Sequence, residues 1–250
     1  MARAAARMVI LSGPSCAGKS PLARALARMA PELHGALQPL VLYNSRAPRP
    51  GERDGVEYHF RTRPEVEAFR QKPQFVVLDV RGDLQAFDLA HVTGRLETGD
   101  AFFEGNPFVG QALLAEPRLA AIPKLSVFLA PISREEILEF TSPDRHVVLP
   151  DLITDIMRRK LLRRTRKQKG ELGLPDLENI EKRAASAYRE LQTAHHFQYV
   201  IPNHDGEDSE HWDAFYYPLG DARKAVLAFA GLLRNTVPDC IEHWEAELLP

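Results

Sequence analysis

Short apolar runs alternate along the chain with stretches in which apolar residues recur every three or four positions. Met8-Val9-Ile10-Leu11 has the continuous pattern of a buried strand. Leu22, Ala25, Leu26 and Met29 follow at helical spacing and predict a helix over 21–30 with one face on a sheet. Pro21 falls in its first turn, where a missing N–H matters little. Further strands are predicted over 39–43, 56–60, 75–80, 100–104, 124–130 and 197–201. Helices are predicted over 64–70, 87–96, 108–114, 133–140, 151–167, 177–196 and 221–233. Residues 46–55, rich in arginine, proline and glycine, read as a loop. Strands alternating with helices imply an α/β fold built on a parallel sheet. Trp212, Phe215, Tyr216 and Tyr217 are expected to pack inside, beneath the C-terminal region. The tail over 235–250 receives no assignment.

Composition narrows the partners more than the fold. With 250 residues and 44% hydrophobic content, the chain suffices for one large packed domain or two small ones. A net charge of −2 gives no reason to expect nucleic acid or a membrane surface as partner. No apolar stretch approaches the roughly 20 residues of a membrane span. The N-terminal Met-Ala-Arg-Ala-Ala-Ala-Arg lacks a long apolar core, so a cleaved signal peptide is not expected. Two cysteines, Cys16 and Cys240, lie far apart in sequence, which suits a reducing, cytoplasmic setting without a disulfide. His195, His196, His204 and His211 lack compact metal-ligand spacing and read as surface residues.

The chemistry enters directly after the first strand. Gly13-Pro14-Ser15-Cys16-Ala17-Gly18-Lys19-Ser20 spells G-x-x-x-x-G-K-S between an apolar strand and a helix. In such a loop successive backbone N–H groups cradle the phosphates of a nucleotide, here a nucleoside triphosphate. The glycines allow close backbone approach, and the helix that begins near Gly18 turns its positive dipole end to the ligand. Lys19 is expected at the β/γ-phosphates, and the Ser20 hydroxyl is expected to ligate Mg²⁺. Cys16 reads as a small residue in a tight loop rather than a redox thiol.

A second stretch, Ser45-Arg46-Ala47-Pro48-Arg49-Pro50-Gly51-Glu52 followed by Asp54-Gly55-Val56-Glu57-Tyr58-His59-Phe60, places two arginines three apart on a proline-stiffened loop. Such a pair can grip a phosphate bidentately. The stretch resembles the T-T-R-x-P-R-x-G-E-x-x-G-x-x-Y-x-F signature of guanylate kinases and follows the phosphate loop at that family's distance. The resemblance implies a P-loop core over 1–43, 98–138 and 184–234, an acceptor-binding subdomain over 44–97 and a lid over 139–183. It further implies that Arg46, Arg49 and Tyr58 hold the phosphate of an acceptor nucleotide while Glu52 orients the loop or an arginine. Ile180-Glu181-Lys182-Arg183 resembles the helix after the lid, which places Arg183 on the transferring phosphoryl. Phe197-Gln198-Tyr199-Val200-Ile201-Pro202-Asn203 resembles the last core strand, with Asn203 near the adenine of ATP. Lys19, Arg46 and Arg183 are the implied catalytic cations.

This sequence departs from the family where the base is read. Arg81-Gly82-Asp83-Leu84-Gln85-Ala86-Phe87 aligns with a stretch that is usually G-N-x-Y-G-T, so Gln85 replaces a phosphate-contacting tyrosine. The family's guanine-reading acid falls at Val77. Asp79 is the nearest substitute, on the same face of the strand. Glu104-Gly105-Asn106 stands where the family has two acids, and Glu104 is expected to hold Mg²⁺ through water or to accept from the acceptor. Within the basic run over 158–167, most residues read as a solvated helix face. One or more of Arg159, Arg163, Arg164 and Arg166 is expected to close over the transferring group. The whole implies an ATP- and Mg²⁺-dependent phosphotransferase acting on a nucleoside monophosphate, GMP or dGMP first. Two alternatives remain open: a phosphopeptide-binding module, and a kinase for a non-nucleotide phosphate such as a sugar phosphate.

Overall fold

A computed structural model describes residues 6–49 and 51–249; Pro50 of the arginine loop and the first five residues of the N-terminal segment lie outside it. The order is β1 (Met8–Ser12), α1 (Lys19–Met29), α2 (Pro31–Ala36), β2 (Leu37–Pro39), β3 (Leu42–Asn44), β4 (Tyr58–Phe60) and α3 (Arg63–Ala68). Then come β5 (Phe75–Val80), β6 (Asp83–Asp88), α4 (Leu89–Thr98), β7 (Asp100–Gly105), α5 (Pro107–Ala115), β8 (Lys124–Ala130) and α6 (Arg134–Phe140). The long helices α7 (Leu149–Lys169) and α8 (Leu174–Gln192) lead to β9 (Tyr199–Pro202) and α9 (Gly220–Leu233).

The main sheet has the order β2-β7-β1-β8-β9 and every pairing in it is parallel. Alternate residues of its strands feed two cores, as a strand buried on both faces requires. Met8, Ile10, Phe103 and Phe128 face one core with Val109 of α5, Met157 of α7 and Ala187 of α8. Val9, Leu11, Phe102 and Val127 face the other with Leu22 and Leu26 of α1 and Phe229 of α9. Strand β1 is central, and β7 and β8 flank it. The crevice at the carboxyl ends of such strands is where α/β sheets bind ligands.

A second, mixed sheet has the order β4-β3-β6-β5. One of its faces packs Leu84 and Ala86 of β6 against Val66 of α3. The other face turns toward the main core.

Several expectations change. The strand expected over 39–43 is two strands in different sheets, parted at Leu40 and Val41: β2 edges the main sheet and β3 opens the second. The helix expected from Phe87 starts only at Leu89, because Asp83–Asp88 is a strand whose Asp88 carboxylate caps the helix by accepting from Ala90 N at 2.9 Å. Helix α2 was not foreseen. Of the aromatic cluster only Trp212 is buried, while Phe215 and Tyr216 are each 66% exposed. The unassigned tail closes the open edge of β9. Val200 and Glu242 exchange backbone hydrogen bonds of 2.9 Å in each direction, and Trp244, Leu248 and Leu249 enter the core.

Candidate active site

The phosphate loop leaves β1 and enters α1 at Gly18, whose φ of 102° lies in the left-handed region. A Cβ on Gly18 would stand 2.6 Å from Asn203 Nδ2, so both backbone angle and space require glycine there. Lys19 is buried, and its ammonium donates to the Gly13 and Pro14 carbonyls at 2.8 and 2.7 Å. Burial pulls its pKa down, opposed by the carboxylates of Glu207 and Glu104. Cys16 sits at φ 69° with its thiol buried, and burial followed by the charge of Glu207 pushes that thiol far up.

A cavity of about 480 Å³ runs from this loop to the second sheet. At its donor end the Ser20 hydroxyl donates to Glu104 Oε1 at 2.6 Å. Burial raises the Glu104 pKa, which Ser20 and Lys19 only partly oppose. An acid held above its usual range beside a hydroxyl is a pair of hard oxygen donors that suits Mg²⁺. Arg183 from α8 is buried and donates from Nε to Ser15 Oγ at 3.0 Å. Burial and the neighbouring guanidiniums of Arg164, Arg49 and Arg81 all lower its pKa. Arg164 Nε and Glu207 Oε2 are buried without hydrogen-bond partners among the described residues, and both side chains line the same cavity. Cations crowd this end, and the protein supplies too few partners for them.

At the acceptor end the Arg46 guanidinium meets Glu52 fork to fork, Nη1 to Oε2 at 2.6 Å and Nη2 to Oε1 at 2.7 Å. Glu52 also accepts from the Arg49 backbone N–H at 2.8 Å, so one carboxylate shapes the whole loop. The Arg46 guanidinium lies 5.2 Å from the Tyr58 ring centroid and 5.3 Å from that of Phe60, a cation–π seat that fixes its direction. Arg49 and Tyr58 line the cavity beside it.

Other expected residues lie elsewhere. Val77 and Asp79 share a face of β5, as expected, but it is the wrong face. Val77 packs toward α3, and the Asp79 carboxylate accepts from Gly82 N at 2.7 Å outside the cavity. The cavity-facing positions of the hairpin are Val80, Arg81, Asp83 and Gln85. Of Arg159, Arg163, Arg164 and Arg166, only Arg164 reaches the cavity. Arg159 pairs with Asp155 at 2.8 Å, Arg163 with Asp208 at 2.7 Å, and Arg166 is exposed. Asn203 is fully buried, with Nδ2 donating to Ala17 O at 2.8 Å. It braces the phosphate loop from behind, and it does not line the cavity.

Sequence reasoning missed Arg81, Asp83, Lys182 and Glu207, which all line the cavity. Arg81 had a signal: it precedes Gly82 at the end of a predicted strand, where a glycine marks a turn. Asp83 follows from the same turn; Glu207, in an irregular loop after β9, has no sequence signature. Among the described residues no helix is long and apolar enough to cross a membrane. His204 and His211 are taken up by carboxylates, His204 by Asp221 at 2.6 Å and His211 by Asp205 at 3.0 Å.

Comparison with known proteins adds the following. The family model described as Guanylate kinase matches residues 5–82. A guanylate kinase of Ruegeria sp. (strain TM1040) is 30% identical over 246 residues, covering 96% of this chain and 91% of that protein. A guanylate kinase of Helicobacter pylori (strain ATCC 700392 / 26695) is 29% identical over 204 residues, covering 81% of this chain and 82% of that protein. The crystal structure of guanylate kinase from Anaplasma phagocytophilum superposes with a TM-score of 0.55 at 18% identity, covering 99% of this chain and 95% of that one. The last likeness is one of fold.

Proposed function

The chain belongs to the guanylate kinase family and is a nucleoside monophosphate kinase-type phosphotransferase, and on that premise we propose that it moves the γ-phosphoryl of ATP to a nucleoside monophosphate, GMP or dGMP first. The observation that carries the proposal is one continuous cavity with cations at both ends: Lys19, Arg164 and Arg183 at the phosphate loop, Arg46 and Arg49 across from them. Phosphoryl transfer asks a protein mainly for positioning and for neutralising charge, and this arrangement supplies both. The backbone N–H groups from Ser15 to Ser20 and the Lys19 ammonium hold the donor phosphates. Arg46 keeps Nε and one N–H of Nη2 without a partner among the described residues, and these meet the acceptor phosphate beside Arg49 and Tyr58. Arg183 and Arg164 face the group in flight. Ser20 and Glu104 would hold Mg²⁺, which when bound neutralises charge on the donor phosphates.

The acceptor base meets Gln85 and Asp83 on the hairpin and the apolar side chains of Leu42 and Val80. These are donors and acceptors different from those at the family's usual positions. Purified protein given ATP, Mg²⁺ and a panel of ribo- and deoxyribonucleoside monophosphates is expected to form ADP fastest with GMP or dGMP. Turnover with another base would move the acceptor assignment. Silence across the panel with ATP bound would remove the nucleotide acceptor and favour a sugar phosphate.

A further inference from the structure

We infer that Arg81 grips the γ-phosphoryl of the bound triphosphate, a role that rests on the kinase reading. Val80 pairs with Asp83 across the β5–β6 hairpin, so Arg81 and Gly82 form a two-residue turn with φ of 58° and 84°. Such turns need positive φ at both central positions and favour Asn-Gly or Asp-Gly. An arginine is strained there, and strained residues of this kind cluster at ligand clamps.

The turn carries Arg81 across the cavity to the phosphate loop. Its Nη1 donates to Ser15 Oγ at 2.9 Å and its Nε to Glu190 Oε1 at 2.6 Å, while Nη2 completes the ion pair with the same carboxylate. Glu190 is fully buried in α8 and is itself held by Ser186 Oγ at 2.8 Å and Asn106 Nδ2 at 3.1 Å. The guanidinium is therefore braced on one side by a fixed anion, as an arginine that must meet a ligand in one geometry should be.

What lies on its other side is the informative part. Arg183 Nε also donates to Ser15 Oγ, at 3.0 Å, so two guanidiniums converge on one neutral hydroxyl. Glu190 balances one of them, and Arg183 pairs with no carboxylate among the described residues. Ser15 directly follows Gly13 and Pro14, whose carbonyls hold the Lys19 ammonium, so this hydroxyl stands at the end of the loop where the outermost phosphates arrive. Each terminal nitrogen of Arg81 keeps an N–H without a partner among the described residues. A phosphoryl group with three charged oxygens fits between the two forks, because Arg presents paired donors in the geometry a phosphate accepts.

The test compares ATP with ADP, which differ only in the γ-phosphoryl. Arg81→Asn suits the turn, and Arg81→Asn with Glu190→Gln avoids leaving a buried unpaired carboxylate should the single variant fold poorly. Calorimetric titration with Mg²⁺ present is expected to show ATP affinity falling at least tenfold in the variant while ADP affinity stays within about twofold. An Arg81 that served only to neutralise Glu190 predicts the same change, or none, for both nucleotides, and that result overturns the inference. No acceptor is needed, so absence of turnover in the unaltered protein would count against the kinase reading alone.

Discussion

A lysine in place of Arg46 keeps the charge and loses the fork. Glu52 holds both terminal nitrogens of Arg46, and the Tyr58 and Phe60 rings seat its plane. An ammonium can approach the rings but cannot make the fork. Arg46→Lys is therefore expected to raise the acceptor KM by about tenfold or more, the worth of one charge-assisted pair, and to leave the KM for ATP near its starting value. Steady-state kinetics with each substrate varied in turn checks this split; equal rises in both constants would mean that the loop supports the whole site. At this scale Lys19 and Arg46 stood in motifs whose spacing carries their chemistry, and Glu52 entered through the family resemblance alone. Asp79 was misjudged because a strand offers two faces and alignment does not say which one is wet. A shift of one residue in register exchanges them. The hairpin turn at Arg81-Gly82 sets that register.

Among the elements, those with one clean period came through: α1, α7 and α9, and the strands β1, β5, β7 and β8. Strand β6 did not, since Asp83 and Asp88 at its ends and Gln85 within it interrupt an apolar signal that tertiary pairing with β3 and β5 then overrides. The tail was opaque because its strength is non-local: Trp244, Leu248 and Leu249 gain their burial from a sheet edge some 40 residues earlier in the chain. Another such tie joins α6, α9 and the loop after β9. His204 Nε2 meets Glu136 Oε2 at 2.9 Å and its Nδ1 meets Asp221 Oδ2 at 2.6 Å. Partial burial lowers the His204 pKa, but the two carboxylates outweigh it and leave it raised, while Glu136 and Asp221 are held below their ordinary values. The raised histidine stabilises the fold fully below its unfolded pKa of 6.5 and loses that contribution as pH rises through the folded value. The lowered acids stabilise it above 4.5 and 3.8 and lose that as pH falls. His204→Ala should therefore cost most between about pH 5 and pH 6.5, on the order of 0.5–1 kcal/mol for so exposed a group, and progressively less as pH rises through the raised folded value. Thermal melts of both proteins across pH measure it, and a difference that persists unchanged to pH 9 would show that the charge is not the cause.

Taken as a whole the molecule is two sheets with a cavity between them, one offering the donor loop and the other the acceptor loop. The fold class was readable because alternating strands and helices leave few topologies open. The way the sheets face each other was not, since it depends on side chains such as Arg81 that cross from one to the other. The phosphate loop is the buried seam of this assembly, and it holds one of the two free cysteines; the other, Cys240, is exposed. An enclosed thiol whose thiolate is disfavoured by burial reacts slowly with an electrophile, whereas an exposed one reacts faster. The chain thus has a built-in clock. Under a thiol-specific label Cys240 is expected to be modified first, and Cys16 only at the rate at which the loop opens. Mass spectrometry of the labelling time course, with and without ATP, would read that rate directly. Slowing of the Cys16 phase alone would mean that the nucleotide closes the seam from inside, while equal reactivity of both thiols would mean that the seam already stands open.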